Sequence, residues 1–194
     1  MPKIYKKTSL LLLLCFLISC DDDGYTNVDE YFALTLPAYS DTGQGKFACL
    51  VNGKVWTVFG KTYNNGIYGG TEGWQPNEAN VVRFNDNLIK VFGSSSLVNS
   101  DQTRLRETFI FEFSAKDETA GTYVLNTEKD IASYVKVYLT DPTEYRSSFV
   151  NPMVITMKRY DSGIMSATFE GYMTNIENAN DSIHITRGFF DVKY

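Results

Sequence analysis

The sequence predicts an all-β fold, a single antiparallel β-sandwich or flattened barrel of about ten short strands. Three observations support this prediction. Apolar and polar residues alternate at a period of two in several segments. Clusters of turn residues separate these segments at short intervals. No segment shows the apolar period of an amphipathic helix of ordinary length.

The clearest local signal is Asn52-Gly53, which lies between the apolar runs 47–51 and 54–58. Asn-Gly favours a two-residue hairpin turn because both turn residues need a positive φ. Such a turn pairs Val51 with Lys54 and fixes every pair that follows. Four apolar side chains then share one face, which we expect to be core: Phe47, Cys49, Trp56 and Val58.

The remaining strands are predicted from alternation and turns, and 31–36 is compatible with a short first strand. The others are expected at 81–84, 88–92, 104–114, 121–125, 134–139, 153–160, 164–173 and 183–194. Segment 104–114 places three phenylalanines on one face, which is typical of a half-buried strand. Gly188 lies inside the last strand, where a bulge would switch the buried face.

The N-terminus has the pattern of a lipoprotein signal peptide over residues 1–20. A basic segment, 1–9, precedes an apolar run, 10–18, which is too short to span a membrane as a helix. Leu17-Ile18-Ser19-Cys20 then resembles a bacterial lipobox, in which the cysteine thiol takes the lipid. We therefore expect lipidation at Cys20 and attachment to the membrane through the lipid anchor.

Residues 21–45 are expected to be an acidic tether and linker ahead of a β-domain at 46–194. Asp21-Asp22-Asp23 resembles the acidic signals that direct lipoproteins to the cell surface, which favours a surface-exposed outer-membrane location, with the periplasmic face as the alternative. An EF-hand calcium loop needs acids at alternate positions, which these three do not occupy. Loss of 1–20 lowers the net charge from −5 to −8, which argues against nucleic-acid binding.

Both ends of the predicted domain resemble a family of uncharacterised all-β lipoproteins of the Bacteroidota. The first part is the hairpin Phe47–Trp56, which follows the pattern Phe-x-Cys-x-Val-Asn-Gly-Lys-x-Trp. The second part comprises Gly163–Tyr172 and the final strand, whose Ile185–Asp191 is similar to the family's Ile-Thr-x-Gly-x-Phe-Asp ending. Phe189 departs from the arginine that the family often has there. The resemblance implies an all-β fold and an envelope location, and it implies no activity.

The usual catalytic patterns are missing from the sequence. There is a single histidine, His184, and no Gly-x-Ser-x-Gly, His-Glu-x-x-His or phosphate-loop motif. Glu107 and Glu112 face opposite sides of one strand because their spacing is odd. Acids on separate strands could still converge, so a hydrolase stays open as an alternative. We expect a non-enzymatic protein without cofactor or metal, in which Cys49 is a small buried side chain.

Two predicted loops carry candidate binding residues. Loop 60–77 contains three aromatic residues that could stack on a sugar: Tyr63, Tyr68 and Trp74. Loop 140–151 contains Tyr145 and Arg146. Two functions therefore stay open, a structural or interaction module whose partner is another envelope protein, and a carbohydrate-binding surface lipoprotein.

One modification site is suggested by a short motif. Asp181-Ser182-Ile183 resembles the Asp-Ser/Thr-apolar acceptor that Bacteroidota use for O-glycosylation, with Ser182 as the acceptor. Gly43–Ala48 also matches a relaxed dinucleotide-binding fingerprint, but it has no strand before it and no helix after it. We therefore reject a dinucleotide site there.

Overall fold

A computed structural model describes residues 28–64, 73–84, 87–98, 104–115 and 120–194. The predicted signal peptide with Cys20, the first part of the tether and Tyr68 lie outside these residues. Within the described ranges there is one short helix, α1 (Val28–Phe32), and the rest of the regular structure is β. The all-β prediction is therefore confirmed.

Thirteen strands occur in the described residues, and their bounds follow in chain order. They are β1 (Lys46–Val51), β2 (Lys54–Thr57), β3 (Lys61–Asn64), β4 (Gly73–Pro76), β5 (Asn80–Arg83), β6 (Leu88–Val98), β7 (Arg104–Ser114), β8 (Gly121–Leu125), β9 (Ile131–Tyr138), β10 (Asp141–Arg146), β11 (Met153–Asp161), β12 (Ile164–Asn175) and β13 (Ser182–Lys193).

Nine of these strands form a curled sheet with the order β2-β1-β13-β12-β10-β9-β7-β6-β5, which makes a half-barrel. Strand β11 pairs with β12 and with β8, and β3 pairs with β4 in a separate two-stranded sheet. Ser96 N–H donates to the Phe59 carbonyl at 2.9 Å, and Phe59 N–H donates to the Ser94 carbonyl at 3.3 Å. These bonds hold the chain after β2 against β6, on the other side of the curled sheet.

The Asn52-Gly53 hairpin has the predicted register. Val51 pairs with Lys54, and the φ angles of Asn52 and Gly53 are 49° and 80°. The predicted core face is also confirmed, because three of its side chains are buried in the core and Val58 is partly buried against that core. Phe47 lies among five other aromatic rings at centroid distances of 5.2–6.0 Å: Trp56, Phe109, Phe111, Phe169 and Phe190.

The predicted bulge in the last strand is present and changes which residues are buried. The core side chains of β13 are Ile183 and Ile185 before the bulge, and Phe190 and Val192 after it, so the inward positions change from odd to even numbers. The pairing of β13 with β1 and β12 shifts register here. A Cβ at Gly188 would lie 2.2 Å from the Phe169 ring, so this position needs glycine.

The segment 33–45, which we call the strap, runs from α1 to β1 and wraps the buried carboxylate of Asp191. Backbone N–H groups of Gly43, Gln44 and Thr42 donate to this carboxylate at 2.6, 3.1 and 3.3 Å. Burial would raise the pKa of Asp191, but these bonds and one from Ser40 hold it below its ordinary value. The loop that resembles a dinucleotide-binding fingerprint therefore binds the side chain of Asp191.

The prediction of a short strand at 31–36 is wrong. Tyr31 and Phe32 belong to α1, and 33–40 has no regular structure. A helix of five residues is too short to be stable alone, so contacts with the rest of the protein must hold it. The side chain of Tyr31 provides one of these contacts, because it reaches Glu107, which lies 76 residues further along the chain.

Both predicted binding loops contain strands. In 60–77, β3 and β4 pair with each other, although 65–72 lies outside the described residues. In 140–151, β10 pairs with β9 as far as Arg146. The turn before β10 depends on Leu139 at a φ of 58°, a conformation that leucine rarely adopts. Neither glycine nor asparagine marks this turn in the sequence, so the strand after it could not be predicted.

Candidate functional site

A pocket of about 670 Å³ lies at the end of the half-barrel where the Asn52-Gly53 turn is found. We call it the end pocket. Most of its wall is apolar and comes from the hairpin β1–β2, from β6 and β7, and from β9, β10 and β13. The apolar wall residues include Val51, Val55, Trp56, Leu97, Leu105 and Ile183. A pocket of this size and character can hold a small organic ligand.

Glu107 is the acidic residue of the end pocket, and its side chain points inward. Alternation along β7 places it on the same face as Phe109, where only 7% of its surface is exposed. The Tyr134 hydroxyl donates to Oε1 at 2.6 Å, and the Tyr31 hydroxyl donates to Oε2 at 3.1 Å. The Lys136 ammonium lies 4.0 Å from Oε1. The carboxylate is thus held by one short bond from the sheet and one longer bond from α1.

The acid affects the groups around it. Burial raises the pKa of Tyr134 far above its ordinary value, and the neighbouring Glu107 carboxylate raises it further. The same two causes, in the same order, raise the pKa of Tyr31 and that of the Cys49 thiol. Both phenols therefore stay protonated as donors to Glu107. Cys49, which is fully buried, lacks the exposure and the low pKa that a reactive thiol requires.

Helix α1 closes part of the pocket mouth through Tyr31. The Tyr31 ring is half-buried and lies 5.8 Å from the ring of Phe59. Its neighbour Phe32 is 77% exposed, although it also borders the pocket. The chain's own phenol therefore occupies the position from which a ligand would reach Glu107.

Trp56 belongs to the pocket wall and carries a buried hydrogen-bond donor. Its side chain is only 4% exposed, and its ring packs against Phe109 at a centroid distance of 4.6 Å. Its Nε1–H has no hydrogen-bond partner among the described residues. A buried donor without a partner carries a free-energy cost.

The residues predicted for sugar binding are only partly described. Tyr63 and Trp74 are direct cross-strand partners in the β3–β4 hairpin, so their backbones are brought together. The positions of their side chains, and all of Tyr68, lie outside what the structure describes.

The second predicted pair, Tyr145 and Arg146, lies on β10 with the two side chains in different environments. Tyr145 lines the end pocket, and its hydroxyl donates to Asp181 at 2.8 Å. Arg146 is exposed and pairs with Glu144 at 2.6 Å. The tip that follows β10 presents Phe149 with 84% of its surface exposed.

Two other residues singled out in the sequence lie on β13. Ser182, the predicted glycosylation site, begins the strand, is exposed and pairs with Thr174 of β12. His184 is exposed, and its ring stacks on that of Tyr172 at 4.2 Å. Within the described ranges, no three potential ligand side chains of His, Cys, Asp or Glu come together as a metal site.

A second groove, of about 530 Å³, lies between the strap and the outer face of β12 and β13. Tyr39 borders it, packing on Phe189 at 5.8 Å and hydrogen-bonding Ser166 at 3.1 Å. No buried charged group faces this groove among its lining residues. The end pocket is therefore the stronger candidate for a binding site.

The chemistry that the end pocket can support depends on Glu107, the one acidic side chain among its described lining residues. Among the described residues that line it, Glu107 is the one carboxylate, whereas a glycosidase site needs two carboxylates on opposite sides of the bond. The predicted opposite orientation of Glu107 and Glu112 is confirmed, since Glu112 instead pairs with Lys90 at 2.8 Å on the other face. A carboxylate with two phenols in an apolar pocket can bind and orient a hydrogen-bond donor.

A sequence signal for this site existed and was missed. Glu107 occupies an inward position in the same alternation that predicts the buried phenylalanines of β7. A charged residue in a core register usually has a specific partner or role. The sequence did not show that Tyr134 would be that partner, because the pairing of β7 with β9 was not predictable.

Comparisons with known proteins find no matching family model, no matching curated protein and no matching solved structure. The likeness to the Bacteroidota lipoproteins therefore rests on the sequence motifs alone. In the part of the chain that the structure describes, no helix has the length and apolar character needed to cross a membrane.

Proposed function

We propose that the protein is a lipid-anchored, non-catalytic interaction module of the outer membrane, and that the end pocket is its binding site. The observation that carries the binding proposal is the buried carboxylate of Glu107 at an apolar pocket, where two tyrosine hydroxyls donate to it. Polar groups that converge in an apolar concavity are typical of ligand sites. Attachment through Cys20, with the surface as its location, is supported by the lipobox-like motif and the acidic residues after it.

The pocket can be tested because the chain has only two tryptophans. In a Trp74→Phe variant of the full chain, reconstituted in lipid vesicles, Trp56 is the sole indole and forms part of the pocket wall. Bromobenzene is a suitable probe because its heavy atom quenches indole emission on contact. We expect saturable quenching, which is lost when Leu105→Arg places a charged side chain in the pocket.

The matched control is Val124→Arg, because Val124 lies on β8, outside the pocket, with 46% of its surface exposed. This change should leave the quenching intact. Quenching that does not saturate, or that survives Leu105→Arg, would contradict a binding pocket at this end of the half-barrel.

The anchor needs a separate measurement. Labelled palmitate should be incorporated into the wild-type chain and should be absent from Cys20→Ala. Wild-type protein that remains unlabelled would refute the lipidation.

A glycan-binding surface on the β3–β4 hairpin is the second candidate, and the direct pairing of Tyr63 with Trp74 favours it. A Trp56→Phe variant leaves Trp74 as the sole indole. Titration with a panel of glycans should then shift its emission if the hairpin binds sugars. If emission is already blue-shifted and no glycan changes it, this candidate fails.

A further inference from the structure

Building on the proposed function of the end pocket, we propose that its ligand class is small phenols, whose hydroxyl group replaces that of Tyr31 on Glu107. The protein's own structure supplies the template for this recognition. Tyr31 places an aromatic ring at the pocket mouth and donates its O–H to Oε2 of Glu107. A free phenol with an apolar substituent carries the same ring and the same donor.

The two phenols already on Glu107 differ in how firmly they are held. Tyr134 is buried in the central part of β9 and donates at 2.6 Å, so it belongs to the rigid sheet. Tyr31 is half-buried on a helix of five residues and donates at 3.1 Å. A helix this short gains little stability from its own hydrogen bonds. Tyr31 is therefore the donor that an incoming ligand displaces.

The pocket offers a phenol more than the contact that Tyr31 makes. Beyond Glu107 the wall continues as apolar side chains, among them Val55, Leu97 and Leu105, which would cover an apolar substituent. A phenol hydroxyl can donate to the carboxylate as the Tyr31 hydroxyl does.

An ammonium compound is the competing ligand class for a buried carboxylate. Lys136 argues against it, because its ammonium group already lies 4.0 Å from Oε1 and would repel a second cation. A neutral O–H donor meets no such repulsion. The structure therefore favours a phenol over an amine of similar size.

Competition with bromobenzene for Trp56 in the full-length Trp74→Phe protein tests the inference with three matched probes. They are 4-propylphenol, its methyl ether 4-propylanisole, and 3-phenylpropylamine. The phenol should relieve the quenching at a concentration roughly tenfold or more below that of the ether, since the ether cannot donate to a charged acceptor. The amine should be no better than the ether.

Variants of α1 and of the acid then separate ligand recognition from general apolar binding. Tyr31→Ala removes the internal competitor and should tighten phenol binding by about fivefold or more, because more of the protein is then open to ligand. The control Thr35→Ala lies in the exposed part of the strap and should have no effect. Glu107→Gln should reduce the preference of the pocket for the phenol over the ether.

Each outcome has one meaning. If bromobenzene does not quench Trp56, the proposed binding function fails together with the inference. If bromobenzene quenches but phenol and ether compete equally, the binding function survives and the phenol inference is wrong. Tighter binding of the amine, or weaker phenol binding in a folded Tyr31→Ala protein, also overturns the inference. The Tyr31→Ala result remains decisive even if Glu107→Gln does not fold.

Discussion

Tyr134→Phe tests whether the buried Glu107 carboxylate depends on its short hydrogen bond from the sheet. The substitution removes one oxygen and leaves the ring, which packs on Phe109 at 4.5 Å, in place. A hydrogen bond to a charged group contributes roughly 1.5–3 kcal/mol, and the site is buried, so we expect the free energy of unfolding to fall by about 2 kcal/mol. The remaining partners are the Tyr31 hydroxyl, which donates at 3.1 Å, and the Lys136 ammonium, which forms an ion pair at 4.0 Å, and neither can replace it.

Urea denaturation measures this change, with the midpoint expected to fall at constant slope. For a chain of this size, about 2 kcal/mol corresponds to a fall in Tm of roughly 4–8 °C. Tyr138→Phe on the same strand is the matched control, because Tyr138 is 53% exposed and its substitution should change stability by less than about 0.5 kcal/mol.

The interaction between Tyr134 and Glu107 can be measured separately by making the same substitution in a Glu107 variant. In Glu107→Leu, the Tyr134 hydroxyl loses its acceptor, so the further change Tyr134→Phe should cost almost nothing or should stabilise the protein. If Tyr134→Phe lowers the free energy of unfolding of the wild-type protein no more than Tyr138→Phe does, the hydrogen bond does not hold the Glu107 carboxylate as described.

Three further predictions concern the bulge, the strap and the buried thiol. Gly188→Ala should destabilise the protein by about 1–3 kcal/mol, since its Cβ would overlap the buried Phe169 ring. Gly121→Ala, with open space around it, is the control in the same denaturation assay. Because the pKa of Asp191 is lowered in the folded state, its contribution to stability is present above its unfolded pKa and should be lost as the pH falls below about 4. In Asp191→Asn, the free energy of unfolding should therefore fall less as the pH is lowered below about 4. A pH dependence of stability equal to that of the wild type would contradict the role of the carboxylate. Cys49 is buried and should react with a thiol reagent only when the protein unfolds. Rapid labelling of Cys49 in the native protein would contradict its burial.

The parts of the fold that the sequence predicted correctly depend on local chemistry. Asn52-Gly53 specifies its turn by φ preference alone, and the register of β1 and β2 then follows. The bulge at Gly188 was predictable for a similar reason, because glycine inside a strand marks a place where another group approaches closely.

The parts that the sequence did not predict depend on contacts between distant residues. Helix α1 has little stability of its own and is held through the bond from Tyr31 to Glu107. Strand β10 follows a turn at Leu139, where the chain adopts a positive φ without a glycine. The end pocket combines both difficulties, because its acid was visible in the alternation of β7 but its partners come from α1 and β9.

The strap has a mechanical consequence if the chain is held at the membrane through Cys20. A pull on the anchor would act first on α1, whose Tyr31 makes a single hydrogen bond to Glu107. It would next reach the three backbone N–H groups of 42–44 that hold the Asp191 carboxylate. Parallel bonds that must break together resist force better than one bond alone. Tension on the anchor would therefore pull α1 away from the mouth of the end pocket before the force reached β1. The hydrogen bonds of the strap would in this way protect the sheet from force applied at the membrane.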